Sequence, residues 1–145
     1  LFQNRGVNFR IEKNHPNCID SNKRPLHTII PGLLTNNNDE TIMSYGVMGG
    51  QYQPIGQSHV LQNIFEFGMS LQEAIDAPRV FALNGKLKVE KSVPNSTINK
   101  LLSLGHIVET SDNAIGGAQG IIIDRKEGVL IGGSDPRKDG LALGF

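Results

Sequence analysis

The chain has 145 residues, 38% hydrophobic and 19% charged, a balance that fits one globular domain over residues 1–145 and argues against disorder. Fourteen basic and fourteen acidic residues cancel, which implies no general attraction to nucleic acid or to an acidic membrane. No apolar run approaches the roughly 20 residues that cross a bilayer, and the single Cys18 excludes an intrachain disulfide. The first residue is Leu1, and the opening residues already read as the interior of a fold. The expectation is a fragment or one piece of a processed protein, whose compartment cannot be read from such a start.

In chain order, Asn4-Arg5-Gly6 forms a polar loop between the apolar anchors Phe2 and Phe9. His15-Pro16-Asn17 and Ser21-Asn22-Lys23-Arg24-Pro25 read as turns or extended chain, because proline biases its predecessor away from helix. Leu26 to Thr35 is apolar with several β-branched residues and reads as a buried strand that Pro31-Gly32 breaks or bulges. After the Asn36–Asp39 turn, Thr41 to Val47 alternates with period two and completes an antiparallel hairpin. A helix is expected from about Pro54 to Phe67, with Val60, Leu61, Ile64 and Phe65 on its buried stripe and Gly68 as C-terminal cap. Ser70-Leu71-Gln72-Glu73 is a capping box that opens a short helix ending before Pro78. Asn84-Gly85 turns a hairpin between Arg79–Ala82 and Lys86–Glu90. A third helix over about 96–104, with Ile98, Leu101 and Leu102 inward, stops at Gly105, and Ile107-Val108 forms a short strand. Gly120–Asp124 and Val129–Gly133 close the pattern as a final hairpin. Strands, then helices, then strands again predict an α+β fold with a largely antiparallel sheet.

The chemistry is expected where the Thr41–Val47 strand runs through Met48-Gly49-Gly50 into a helix. Glycines at such a junction bring backbone N–H groups close to a ligand, and the first helical turn favours an anion. A plain tight turn uses the same residues. The histidines at 15, 27, 59 and 106 show no metal-binding spacing, so neither a metal nor another cofactor is expected, and His106 reads as a surface residue. Gly116-Gly117 runs into a strand, which disfavours a phosphate loop, and Ser134-Asp135-Pro136-Arg137 reads as a type I turn.

Taken in order, several segments resemble the small subunit of the gamma-glutamyltranspeptidase family. They are Leu1-Phe2-Gln3-Asn4-Arg5-Gly6 with Phe9, Asn22 to Thr28, Met48-Gly49-Gly50, Phe67-Gly68-Met69, Gln72-Glu73-Ala74, Asp76-Ala77-Pro78-Arg79, and Ser134-Asp135-Pro136-Arg137 with Asp139-Gly140. The resemblance implies an αββα sandwich of the N-terminal nucleophile hydrolase type, incomplete in this chain. It further implies a self-cleaving precursor whose exposed threonine forms an acyl-enzyme with a small amide, typically a gamma-glutamyl compound such as glutathione. Gly49 and Gly50 fall on the family's oxyanion-hole glycines. His27 and Thr28 fall where two serines often bind the donor's α-carboxylate. Arg5 and Asn8 fall where acidic or amide side chains hold its α-amino group.

The departures carry information. Arg5 would repel an ammonium group, so the resemblance, adjusted for Arg5 and His27, points to a carboxylate-bearing donor without a free amine. Cephalosporin and glutaryl acylases of the family resemble this direction of change. Nothing in the sequence resembles the nucleophile-bearing start of the small subunit, so the chain by itself is expected to be inactive, with the large subunit and the upstream small-subunit segment as its partners. A non-catalytic remnant that keeps the fold as a binding module is the alternative from another class.

Overall fold

The computed structural model describes residues 4–144, so Leu1, Phe2 and Gln3 of the N-terminal motif lie outside the described residues. Strands β1 (Gly32–Thr35), β2 (Thr41–Met48), β6 (Gly117–Asp124) and β7 (Val129–Ser134) form one antiparallel sheet in the order β1-β2-β6-β7. A smaller sheet holds β3 (Val80–Leu83), β4 (Lys86–Glu90) and β5 (Val108–Ser111). Its β4–β5 ladder is parallel, because helix α3 (Asn95–Ser103) supplies the crossover that parallel strands need. The β3–β4 hairpin turns at Asn84-Gly85 with positive φ at both residues, as the sequence predicts.

Helices α1 (Gln53–Phe65) and α2 (Leu71–Asp76) cover one face of the larger sheet. Period-two alternation puts Met43 and Val47 of β2 on that face, opposite Ile122 and Ala118 of β6. Together with Tyr52, Val60, Leu71, Ala74, Ile75 and Ile115 they form the core. The predicted capping box is present: Ser70 Oγ accepts from the Glu73 N–H at 3.3 Å, and a Glu73 carboxylate oxygen accepts from the Ser70 N–H at 2.8 Å.

Three expectations are corrected. Residues 26–31 are not strand; only Gly32–Thr35 pairs, and Leu26, Ile29 and Ile30 are exposed. Side chains of α1 hold the Thr28 and Ile30 carbonyls of this stretch, with no ladder behind it. On α1 the expected Val60 is buried and Leu61 and Ile64 pack against the core, but the fully buried row is Gly56, Val60 and Asn63, a helical i, i+4, i+7 row, and Phe65, expected inward, is 59% exposed. Asn63 is tolerated inside because its amide donates to the Ala74 carbonyl. Helix α3 buries no residue fully, and Leu102, expected inward, is exposed.

The opposite face of the larger sheet carries Leu33, Met48, Ile121 and Leu130, all exposed. Each such side chain gains roughly 1.5–3 kcal/mol on full burial. A sheet apolar on both faces is one half of a sandwich. The 145-residue chain produced alone is therefore expected to bind a hydrophobic dye and elute as aggregate in size-exclusion chromatography; a monodisperse monomer would contradict this.

Candidate functional site

The chain leaves β2 at Met48 and turns through Gly49 (φ 133°) and Gly50 (φ 59°) into a 3-10 turn, Gly50–Tyr52, that continues as α1. Both conformations strain any residue with a Cβ. At Gly49 there is also no room, since a Cβ there would stand 2.9 Å from the Gly116 Cα. The carbonyls of Gly49 and Gly50 accept from the Tyr52 and Gln53 N–H groups, which closes the turn. N–H groups that open a helical turn have no acceptor inside it, so those of Gly49 and Gly50 stand at the end of the helix that favours negative charge.

A cavity of about 520 Å³ lies over this turn. Arg5, Thr28, Gly49 and Gly50 all line it, together with Pro31, Gln53 and Gln119 among others. Two glutamines of α1 fix the wall that carries Thr28. Gln53 Nε2 donates to the Thr28 carbonyl at 3.0 Å and Gln57 Nε2 to that of Ile30 at 2.5 Å. Gln119 is oriented by its 2.6 Å bond with Ser134 Oγ. Four of the six residues singled out in the sequence therefore meet at one cavity. Asn8 and His27 are not among its lining residues: Asn8 bonds to the Arg5 carbonyl and, through its own carbonyl, to Asn17, and His27 is exposed.

Behind the turn lies a buried ionic cluster. Arg79 pairs with Asp135 at 2.7 Å, both almost wholly buried, and donates to the carbonyls of Ile75 and Ile115. Arg137 grips Glu90 through Nε at 2.8 Å and Nη2 at 2.7 Å, and reaches the carbonyls of Ile75, Asp76 and Ala77. The two carboxylates also accept backbone N–H groups, Asp135 from Ala118 and Arg137, Glu90 from Arg79 and Ile115. Burial alone would raise the Asp135 carboxyl. The N–H groups of Ala118 and Arg137 and the Arg79 charge outweigh it and hold the carboxyl below its ordinary value. Glu90 is likewise lowered against burial, chiefly by Arg137. Burial, then the charges of Arg79 and Arg137, lower the His59 imidazole on α1, so it is neutral at pH 7. Sequence reasoning placed Arg79 in a strand and Asp135 in a turn; the turn exists, with Asp135 Oδ1 accepting from the Arg137 N–H. The local pattern gave no sign of the pairing. Among the described residues no group of three or more His, Cys, Asp or Glu is placed to hold a metal, and no helix is long and apolar enough to cross a membrane.

Residues 1–145 match the family model described as gamma-glutamyltranspeptidase. Among curated proteins, the glutathione hydrolase-like YwrD proenzyme of Bacillus subtilis is 39% identical across the whole chain, and the oxamate amidohydrolase proenzyme of Klebsiella pneumoniae is 34% identical. In both cases the chain spans 29% of the relative's length. Among solved structures, the cephalosporin acylase of Bacillus halodurans superposes with a TM-score of 0.81 at 42% identity, covering 92% of this chain and 25% of that one. The helix-covered sheet is thus part of the N-terminal nucleophile hydrolase fold expected from the sequence.

The ionic cluster sets an acid limit. A carboxylate with a lowered native value stabilises the fold fully above its unfolded value, and that stability drains as pH falls through the native one. Urea unfolding of the intact protein should therefore show stability falling steeply below about pH 4–5, the unfolded carboxylate range. Asp135→Asn, which leaves Arg79 buried without its partner, should cost about 3–5 kcal/mol at pH 7 and flatten that acid slope. An unchanged slope would contradict the assignment.

Proposed function

Because the chain belongs to the gamma-glutamyltranspeptidase family, we propose that the intact protein is a self-processed, amide-cleaving hydrolase or acyltransferase that works through an acyl-enzyme. The observation that carries this is the convergence of Gly49, Gly50, Thr28 and Arg5 on one cavity. In the proposed reaction a threonine on the adjoining small-subunit segment attacks the amide carbonyl, and its own α-amine takes the hydroxyl proton. The carbonyl oxygen becomes an oxyanion and receives the N–H groups of Gly49 and Gly50, donors of a kind whose individual loss typically costs about 10²–10³ in rate. Collapse breaks the C–N bond, and the same amine returns the proton to the departing amine. Water or an acceptor amine then repeats the sequence on the ester.

The donor is read from charge. Arg5 is half-buried at the cavity wall, and Thr28 keeps a hydroxyl there. Two like charges about 4 Å apart near a protein surface repel by roughly 4 kcal/mol, so an ammonium beside Arg5 is disfavoured and a carboxylate favoured. An acyl group bearing a carboxylate and no free amine fits best. The name of one relative, an oxamate amidohydrolase, fits this reading, because oxamate is an amide whose acyl group carries a carboxylate and no amine. A gamma-glutamyl donor is the second reading, supported by the name of the glutathione hydrolase-like relative.

Steady-state assays of the intact protein separate the two. Glutaryl-p-nitroanilide should exceed gamma-glutamyl-p-nitroanilide in kcat/KM by about 10²-fold, less than the repulsion alone allows because the donor can shift and water can screen. Arg5→Glu should narrow or invert that ratio. Efficient turnover of the gamma-glutamyl compound by the unaltered protein would overturn the donor assignment and leave the reaction class standing. Turnover of neither, nor of any other amide, would overturn both.

A further inference from the structure

We propose that Gly116 is a positioning residue for the oxyanion turn, acting through its contact with Gly49 and never touching the substrate. The inference rests on the oxyanion-hole reading above and adds a part to it. In the sequence, Gly116-Gly117 served only to disfavour a phosphate loop. The structure brings Gly116 against the back of Gly49, where neither residue has room for a side chain. A Cβ on Gly116 would stand 2.7 Å from the Met48 carbonyl oxygen and 2.6 Å from Tyr52 Cδ1, and φ at Gly116 is already 70°. The contact is therefore backbone against backbone, flanked by one aromatic ring. Tyr52 is itself held, its N–H by the Gly49 carbonyl and its ring edge-on to Phe81 at 5.3 Å.

A buttress works only if it is fixed, and Gly116 is anchored on both sides. Before it, the Ile115 carbonyl accepts from Arg79 and the Ile115 N–H donates to Glu90. After it, the Ala118 N–H donates to Asp135 at 2.6 Å. Three charged side chains of the buried cluster thus fix the segment that sets the height of Gly49. Misplacement of a positioned group by about 1 Å can cost 10² in rate. A Cβ at 116 must push the segment or the turn by several tenths of an ångström, since the Met48 carbonyl oxygen, one of its two nearest obstacles, is backbone, and the other is the packed Tyr52 ring.

The test is Gly116→Ala in the intact protein, with the turn variant Gly128→Ala as control. Gly128 shares the positive φ but faces open space, in the hairpin between β6 and β7. The expected result is a kcat about 10–10²-fold lower for Gly116→Ala with KM within about twofold, and no such split for Gly128→Ala, because the oxyanion exists only beyond the ground state. If Gly116→Ala loses its cooperative melting transition, Tyr52→Leu, which removes ring atoms from the same contact and adds none, is judged by the same split. Folded variants with unchanged kcat, or with losses confined to KM, would overturn the proposal. Failure of the unaltered protein to turn over any amide would instead overturn the reaction class itself, so the two failures are told apart.

Discussion

The rest of the structure depends on the buried pairing of Arg79 with Asp135 and of Arg137 with Glu90. Burying a charge is expensive, and an ion pair alone often fails to offset the loss of water. What makes this one tenable is that each of the four side chains also bonds to backbone groups. Arg79 and Arg137 between them take carbonyls at the end of α2 and just before β6, while Asp135 and Glu90 take N–H groups from the same junctions and from the strands that follow. Loops that elsewhere would find water are closed here by fixed charges. The cluster therefore defines the relative positions of α2, β4, the start of β6 and the end of β7.

That constraint reaches the candidate site by way of space, not charge. The cluster fixes Ile115 and Ala118, these fix Gly116, and Gly116 sets the distance at which Gly49 can turn. A turn of two glycines is otherwise the most permissive backbone the chain can make. Preorganised donors lower a barrier only if they do not have to move when the charge develops. On the proposed reading, the glycines would supply the geometry of such donors and the ionic cluster their rigidity.

This division also explains what was legible in the sequence. The capping box at Ser70, the Asn84-Gly85 hairpin and the strand-to-helix junction at Gly49-Gly50 are set by residues within a few positions of each other, so local chemistry reveals them. Arg79 and Asp135 are 56 positions apart, and nothing near either residue announces its partner. An arginine after a proline reads as a strand start, although β3 begins one residue later at Val80, and an aspartate before a proline reads as a turn, which is present; neither reading finds the pairing. The Leu26–Ile30 stretch fails in the opposite direction. Its composition reads as a buried strand, yet it is held by Gln53 and Gln57 outside any sheet, with its large apolar side chains in the open. Apolar content reports that a surface wants covering and not which surface covers it.

The same logic separates the two halves of the cavity. The wall made by Gly49, Gly50 and Gln53 belongs to the scaffold, and on the proposed reading any acyl donor cleaved through an oxyanion would need it. In the other wall, Thr28 sits on an irregular segment that two glutamine side chains tie to α1, with no strand ladder beneath it between residues 26 and 31, and Arg5 sits on a separate 3-10 turn, Arg5–Asn8. On the proposed reading, substitutions there would leave the sheet register and the ionic cluster untouched, so that donor charge could change while the reaction machinery did not, and a cation at position 5 would be such a change.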